Sequence, residues 1–339
     1  MSLVSLLILL AALMASTVIL LLVLAAIWWF DRYDREPLHI VAAVFGWGAL
    51  IAPPVALTAL SVFESALASS ALSDTLLFIW VMGAAPVVEE LIKAVGVLLV
   101  VVLTAEFDNP TDGVVYGTAV GLGFAVTENA IYGLSAAAGS AYNGLGVLIV
   151  VGGRTVLTAG VHAVCSATFG GFLGHALLSG SRRGRVSLTL MGLLAAILLH
   201  TTWNLALFFF GAAGETGLPR AWLAVLPLLY GVFVAVLAAF LRSEHRILKT
   251  QLEEEVDLGL APAWVPEVIP YYRRRVRPDW WPVRSERTVI ARLLTRLAFR
   301  KHALGRLPAD RGAVASLEIV KLRQRVREIF EPRSESDEY

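Results

Sequence analysis

The chain has 339 residues, 57% of them hydrophobic and only 16% charged, with a formal net charge of +1. Soluble domains carry about 25% charge, so an ordinary soluble protein is excluded. Of the 28 Lys and Arg, 9 fall in residues 1–242 and 19 in residues 243–339, which separates a membrane domain (1–242) from a charged cytosolic tail (243–339).

The first apolar stretch, 2–30, has no basic region before it. It exceeds the roughly 7–15 apolar residues of a signal-peptide core, so it reads as a retained membrane span. Six more spans follow at about 39–63, 75–104, 113–135, 148–179, 187–211 and 220–242. The third contains Pro86, which lacks a backbone donor and kinks or breaks the helix before Glu89 and Glu90; a full break raises the count from seven to eight. The fifth is long enough to begin as an interfacial segment around Gly152–Arg154. Its single cysteine, Cys165, reads as a packed small residue and excludes an internal disulfide framework or a multi-thiolate zinc site.

Arg32 and Arg35 follow span 1, Arg182, Arg183 and Arg185 follow span 5, and Arg242, Arg246 and Lys249 follow span 7. Loops 64–74, 136–147 and 212–219 contain no Lys or Arg. The positive-inside rule then puts the N-terminus outside and the C-terminus in the cytoplasm. The expected fold is all-α, a polytopic helix bundle spanning the cell membrane several times.

The tail opens with the acidic run Glu253–Glu255 and continues into a Pro- and aromatic-rich segment, 262–282, containing Tyr271, Tyr272, Arg273, Arg274, Arg275, Trp280 and Trp281. Aromatic residues beside clustered Arg suit a membrane surface with anionic lipid as counter-charge. Two amphipathic helices are expected next. The first has Val289, Ile290, Leu293, Leu294 and Leu297 on one face, the second covers 314–330, and disorder is expected over the last nine residues. No nucleic-acid-binding module is legible.

Glu89 and Glu90 are adjacent carboxylates in an apolar run, where charge is costly and marks a polar cavity. Their mutual repulsion calls for a cation, a shared proton or water. Lys93 lies four residues from Glu89 and can partly neutralise it. Glu128, His162 and His200 are the other ionisable groups well inside the spans, with His175 nearer an end. At about 1.5 Å per residue, Glu128, His200, His162 and Glu89 lie roughly 22, 20, 25 and 22 Å from the cytoplasmic ends of their spans. Four spans thus bring titratable groups to one plane. Phe124 shares a helical face with Glu128, and Asn204 shares one with His200. The glycines of spans 4 and 5 permit close helix contact. Two imidazoles and a carboxylate suit a divalent cation such as zinc, and a further carboxylate suits a general base. A coupled transporter using the same carboxylates remains the alternative.

These residues resemble the PrsW family of intramembrane metalloproteases, which is distantly similar to the CAAX-prenyl endopeptidase and bacteriocin-processing superfamily. Asp31-Arg32-Tyr33-Asp34-Arg35-Glu36-Pro37 looks like the charged motif after the first span. Glu89-Glu90-Leu91-Ile92-Lys93 matches EExxK, and Phe124 to Glu128 matches FxxxE. His162, then His200 with Asn204, match the two later motifs. The resemblance covers about residues 25–240 and implies nothing for the tail. It implies a membrane endopeptidase acting on a membrane-anchored protein, an anti-sigma factor in an envelope-stress cascade being the family's best-known substrate. It further implies Glu128, His162 and His200 as ligands of a divalent metal, taken as Zn2+, with one of Glu89 and Glu90 as general base and the other as a ligand or a structural acid. Asn204 would then donate to the oxyanion and Lys93 balance charge. The prenyl endopeptidases suggest a metal-free glutamate peptidase instead. A transporter or receptor-like protein is the reading from a different class, and no internal repeat between 1–120 and 120–242 supports it.

Overall fold

The computed structural model describes residues 2–31, 33, 35–68, 80–104, 106–107, 109–139, 144–179, 181–212, 218–304 and 309–330. Among them the chain is helical, with no strand. The helices are α1 (Leu3–Phe30), α2 (Leu38–Gly46), α3 (Ala52–Ala68), α4 (Ala85–Leu103), α5 (Pro110–Ala138), α6 (Gly144–Gly153), α7 (Ala159–Leu177), α8 (Arg182–Ala212) and α9 (Leu218–Asp257). Four more follow in the tail: α10 (Val265–Val268), α11 (Tyr272–Arg275), α12 (Arg284–Leu304) and α13 (Ala309–Phe330).

Five stretches are long and apolar enough to cross a membrane among the described residues: Leu3–Phe30, Leu38–Ser65, Pro110–Ala138, Gly144–Leu177 and Arg182–Phe208. Helix α4 is 19 residues long and carries three ionisable residues, Glu89, Glu90 and Lys93, which lower its hydropathy. The start of the third expected span, 75–79, and the side chains at 220–225 of the seventh lie outside the described residues.

Three wide π-helical turns join the segments. Trp47–Ile51 links α2 to α3, Trp80–Ala84 leads into α4, and Arg154–Thr158 links α6 to α7. Pro86 therefore sits in the first turn of α4, directly after the wide turn 80–84, and the helical run continues through it without a break. Arg154 likewise lies within a continuous helical run from residue 144 to 177.

The chain divides into two compact units, residues 1–30, 36–176 and 186–236 in one, and 31–35, 177–185 and 237–339 in the other. Helix α5 is the axis of the first. Its start is fixed by a reciprocal cap: Asn109 Oδ1 accepts from the N–H groups of Thr111 and Asp112 at 2.7 and 3.1 Å, while Asp112 Oδ2 accepts from Asn109 N–H at 2.9 Å. Pro110 at the first helical position presets φ. Every residue from Thr111 to Ala125 is buried. Small residues make that burial possible. A Cβ on Gly121 would stand 2.4 Å from the carbonyl oxygen of His162, so glycine there lets α5 approach the α7 backbone where the histidine is mounted.

The second unit has its own core of Tyr33, Leu252, Val265, Leu294, Leu297 and Val326 among others. The expected apolar face of α12 is present in Ile290, Leu294 and Leu297, but Val289 is exposed and Ala291 and Ala298 are buried instead. Trp280 and Trp281 pack against this core, and their indole N–H groups donate to Arg275 O at 2.8 Å and to Glu286 Oε2 at 2.7 Å. Gly259, with φ +68°, ends α9 in the left-handed region where a side chain would be strained, and the following N–H of Leu260 closes onto Glu255 O at 2.9 Å. Glu255 itself is buried and accepts two bonds from Arg323, at 2.9 and 2.7 Å, while Lys301 lies 2.5 Å away. Burial pushes its carboxyl up, but the bonds from Arg323 and Lys301 outweigh this and hold it below the usual carboxylate range. The final nine residues, for which disorder is expected, lie outside the described residues.

Candidate intramembrane active site

Helix α4 supplies the carboxylate pair, and the two members have different surroundings. Glu90 is 2% exposed and Lys93 is fully buried. Lys93 Nζ lies 2.8 Å from Glu90 Oε1, 3.4 Å from Glu89 Oε2 and 3.0 Å from His162 Nδ1, and sits 3.9 Å from the centre of the Phe124 ring. One ammonium thus offsets both carboxylates. The i,i+3 and i,i+4 spacing of a helix makes this possible.

The two histidines meet edge to face, ring centres 4.9 Å apart. Their hydrogen bonds assign their protons. Lysine only donates, so His162 Nδ1 accepts from Lys93 and its ring proton sits on Nε2. A carboxylate only accepts, so His200 Nδ1 donates to Glu90 Oε1 at 2.9 Å. His200 Nε2 faces Glu89, whose Oε2 is 3.8 Å away. Glu128 bridges two groups: its Oε2 lies 2.5 Å from His162 Nε2 and its Oε1 2.8 Å from Arg154 Nη2.

Glu89, Glu128, His162, His200 and Asn204 all line one cavity of about 450 Å³, walled on its apolar side by Ala56, Leu57 and Leu60 of α3. Glu90 and Lys93 stand behind this lining, not in it. Tyr132 and Arg154 also line the cavity, and sequence reasoning assigned them no role. The available signal was Arg154 itself, a permanent charge within a long apolar helix, which requires a carboxylate partner.

The residues fit a divalent cation. Ligand atoms of Glu89, His162 and His200 lie within 4.8 Å of one another. Glu128 Oε2 and His162 Nε2 are both buried and in contact, yet neither makes an aligned hydrogen bond. His200 is held by the Glu90 carboxylate in the manner of a metal-ligating imidazole. Ligation through His162 Nε2 requires the ring proton to move to Nδ1, with the Lys93 ammonium turned to the two glutamates alone. The mutually close ligand atoms are thus those of Glu89, His162 and His200, while Glu128 stands against His162 and Arg154.

Fold and cavity together define a helical membrane protein with a buried acid–histidine centre. The family model described as PrsW family intramembrane metalloprotease matches residues 36–239, and the chain belongs to that family. Protease PrsW of Geobacillus kaustophilus is 31% identical over 153 residues, 45% of this chain and 61% of that protein. Protease PrsW of Bacillus subtilis is 28% identical over 177 residues, 52% of this chain and 73% of that protein. A third relative, Protease PrsW of Clostridioides difficile, is 28% identical over 182 residues, 52% of this chain and 71% of that protein. No solved structure matches the chain. The matched region contains every cavity residue named above, and most of the tail lies beyond it.

Proposed function

We propose that the chain is an intramembrane endopeptidase that hydrolyses a peptide bond of a membrane-anchored protein at the Glu89 cavity. The observation that carries this reading is the placement of Glu89 with His162, His200 and Asn204 around one cavity walled by apolar helix residues, Glu89 Oε2 lying 3.8 Å from His200 Nε2. Glu89 is the general base: it takes a proton from water as the oxygen attacks the scissile carbonyl, and returns it to the departing amine. Glu90 fixes the tautomer of His200, and Lys93 balances the two carboxylates. Asn204, on the same helix face as His200, donates to the developing oxyanion. His162 and His200, with Glu128 or Glu89, hold a divalent cation, taken as zinc. Such a cation, when bound, polarises the carbonyl and acidifies water. The substrate class, an anti-sigma-factor-like regulator in a stress response, rests on family membership.

The deciding experiment compares membrane proteomes of cells expressing the parent and Glu89→Ala. A membrane-anchored protein shortened only with the parent is expected; identical proteomes, together with no cleavage of any reporter, would overturn the proposal. One observation favours a metal-free glutamate peptidase as the second reading: the Lys93–His162 bond of 3.0 Å leaves a proton on the nitrogen a metal would need. Activity that survives exhaustive chelation, in protein containing no metal, would establish it.

The proposed orientation in the cell membrane is N-terminus outside with seven crossings. External labelling of single cysteines in loop 136–147, and none at Arg182–Arg185, is the expected pattern. Exposed Arg273, Arg274 and Arg277 are the proposed contacts of the tail with anionic lipid, expected to give salt-sensitive vesicle binding.

A further inference from the structure

Arg154 is a permanent charge set inside a long apolar helix of the first unit. Its side chain is 15% exposed, and arginine cannot shed its proton to escape a dry environment. The surroundings are built for it. Arg154 Nε donates to Asn129 Oδ1 at 3.2 Å, and the guanidinium lies 3.8 Å above the Tyr132 ring. Asn129 is itself held, its amide donating to Ser16 Oγ and Thr155 Oγ1 at 3.2 Å each, and those two hydroxyls lie 2.7 Å apart. Helices α1 and α5 and the wide turn at 154–158 thus converge on one guanidinium. That turn rotates Arg154 toward α5, where it meets Glu128.

Glu128 uses its two oxygens differently, Oε1 toward Arg154 and Oε2 toward His162. We propose that Arg154 is a positioning residue: it pins Glu128 through one oxygen so that the other faces His162 and the cavity. This rests on the reading that Glu128 serves the site. The guanidinium shape matters as well as its charge. Nε donates to Asn129 Oδ1 while Nη2 lies 2.8 Å from Glu128 Oε1 as an ion pair without an aligned hydrogen bond, a reach to two groups on α5 at once that the compact ammonium of lysine does not offer. Charge-neutral packing would need no such ion pair, nor the polar cradle of Asn129, Ser16 and Thr155.

The test is a double-mutant cycle of Arg154→Lys and Glu128→Gln on the full chain in detergent. Arg154→Ala is a poor probe alone, because it strands Glu128 and risks the fold. Two readouts are taken: Zn2+ affinity by chelator competition, and kcat and KM for a reporter substrate. Arg154→Lys is expected to weaken Zn2+ binding by about 10–100-fold, the usual cost of losing a group that orients a ligand. It is expected to lower kcat with KM little changed, and to add nothing in the Glu128→Gln background. Losses that multiply in the double variant, or an Arg154→Lys protein equal to the parent in both readouts, would overturn the proposal. If the parent binds no Zn2+ but cleaves, the metal reading alone fails and the kinetic cycle decides Arg154. A parent that neither binds nor cleaves overturns both.

Discussion

The adjacent glutamates are chemically identical and physically distinct. Glu90 has a buried ammonium and an imidazole N–H on the same oxygen, whereas Glu89 faces the cavity. Substitution should therefore separate them. Glu89→Gln is expected to lower kcat by about 10²–10⁴-fold, the range for a general base, with an unchanged thermal midpoint. Glu90→Gln strands part of the charge on Lys93 and loosens His200, so it should cost activity and about 3–5 kcal/mol of stability. Thermal melts beside reporter cleavage check both; equal melts for the two variants would contradict this division. The pair was conspicuous in the sequence because carboxylates are rare in apolar runs. Which of them touches the cavity was not, since they point about 100° apart around α4 and only the packing of the other helices decides which direction is the cavity.

At the level of helices, α5 and α7 meet backbone to backbone. A Cβ on Gly170 would lie 1.8 Å from the carbonyl oxygen of Gly113, which no rotamer change relieves. Gly170→Ala should separate the helices, destabilise by about 1–3 kcal/mol or more, and displace His162 on the same helix. Gly152 has open space around it, so Gly152→Ala should gain about 0.5–1 kcal/mol from helix propensity. Thermal unfolding of the two variants in parallel is the check, and opposite shifts are expected. Hydropathy located most of these helices, because span length and the energetic cost of charge in lipid are strong constraints. The wide turns were not legible, as no residue pattern marks them. Gly152 and Gly153 beside a charge resemble a helix boundary, whereas the helical run continues through Arg154, whose carboxylate partner is 26 positions away in sequence.

For the molecule as a whole, the tail is a folded unit with its own charge-dependent stability. Glu255 is held below the usual carboxylate range, so its ion network stabilises fully above the unfolded glutamate value of about 4.3. That stabilisation is lost as pH falls through the lower folded value. Hydrogen exchange of residues 243–330, corrected for intrinsic rates, should show protection declining on acidification below about pH 4.3. Glu255→Gln should flatten that decline. The composition of the tail gave its helices but not its core. Trp280 and Trp281 read as membrane-surface residues because aromatic–Arg clusters are common there, while their ring partners Trp264 and Phe330 lie elsewhere in the chain and leave no local mark.

Tyr33 belongs to this tail core, its carbonyl accepting from Arg275 Nη2 at 2.8 Å across 242 positions of sequence. A ribosome makes Tyr33 among the first tenth of the chain and Val326 among the last. The tail core therefore cannot close before Val326 has been made. A chain that ends before α13 presents an unfinished apolar surface, the kind of defect that quality-control proteases recognise.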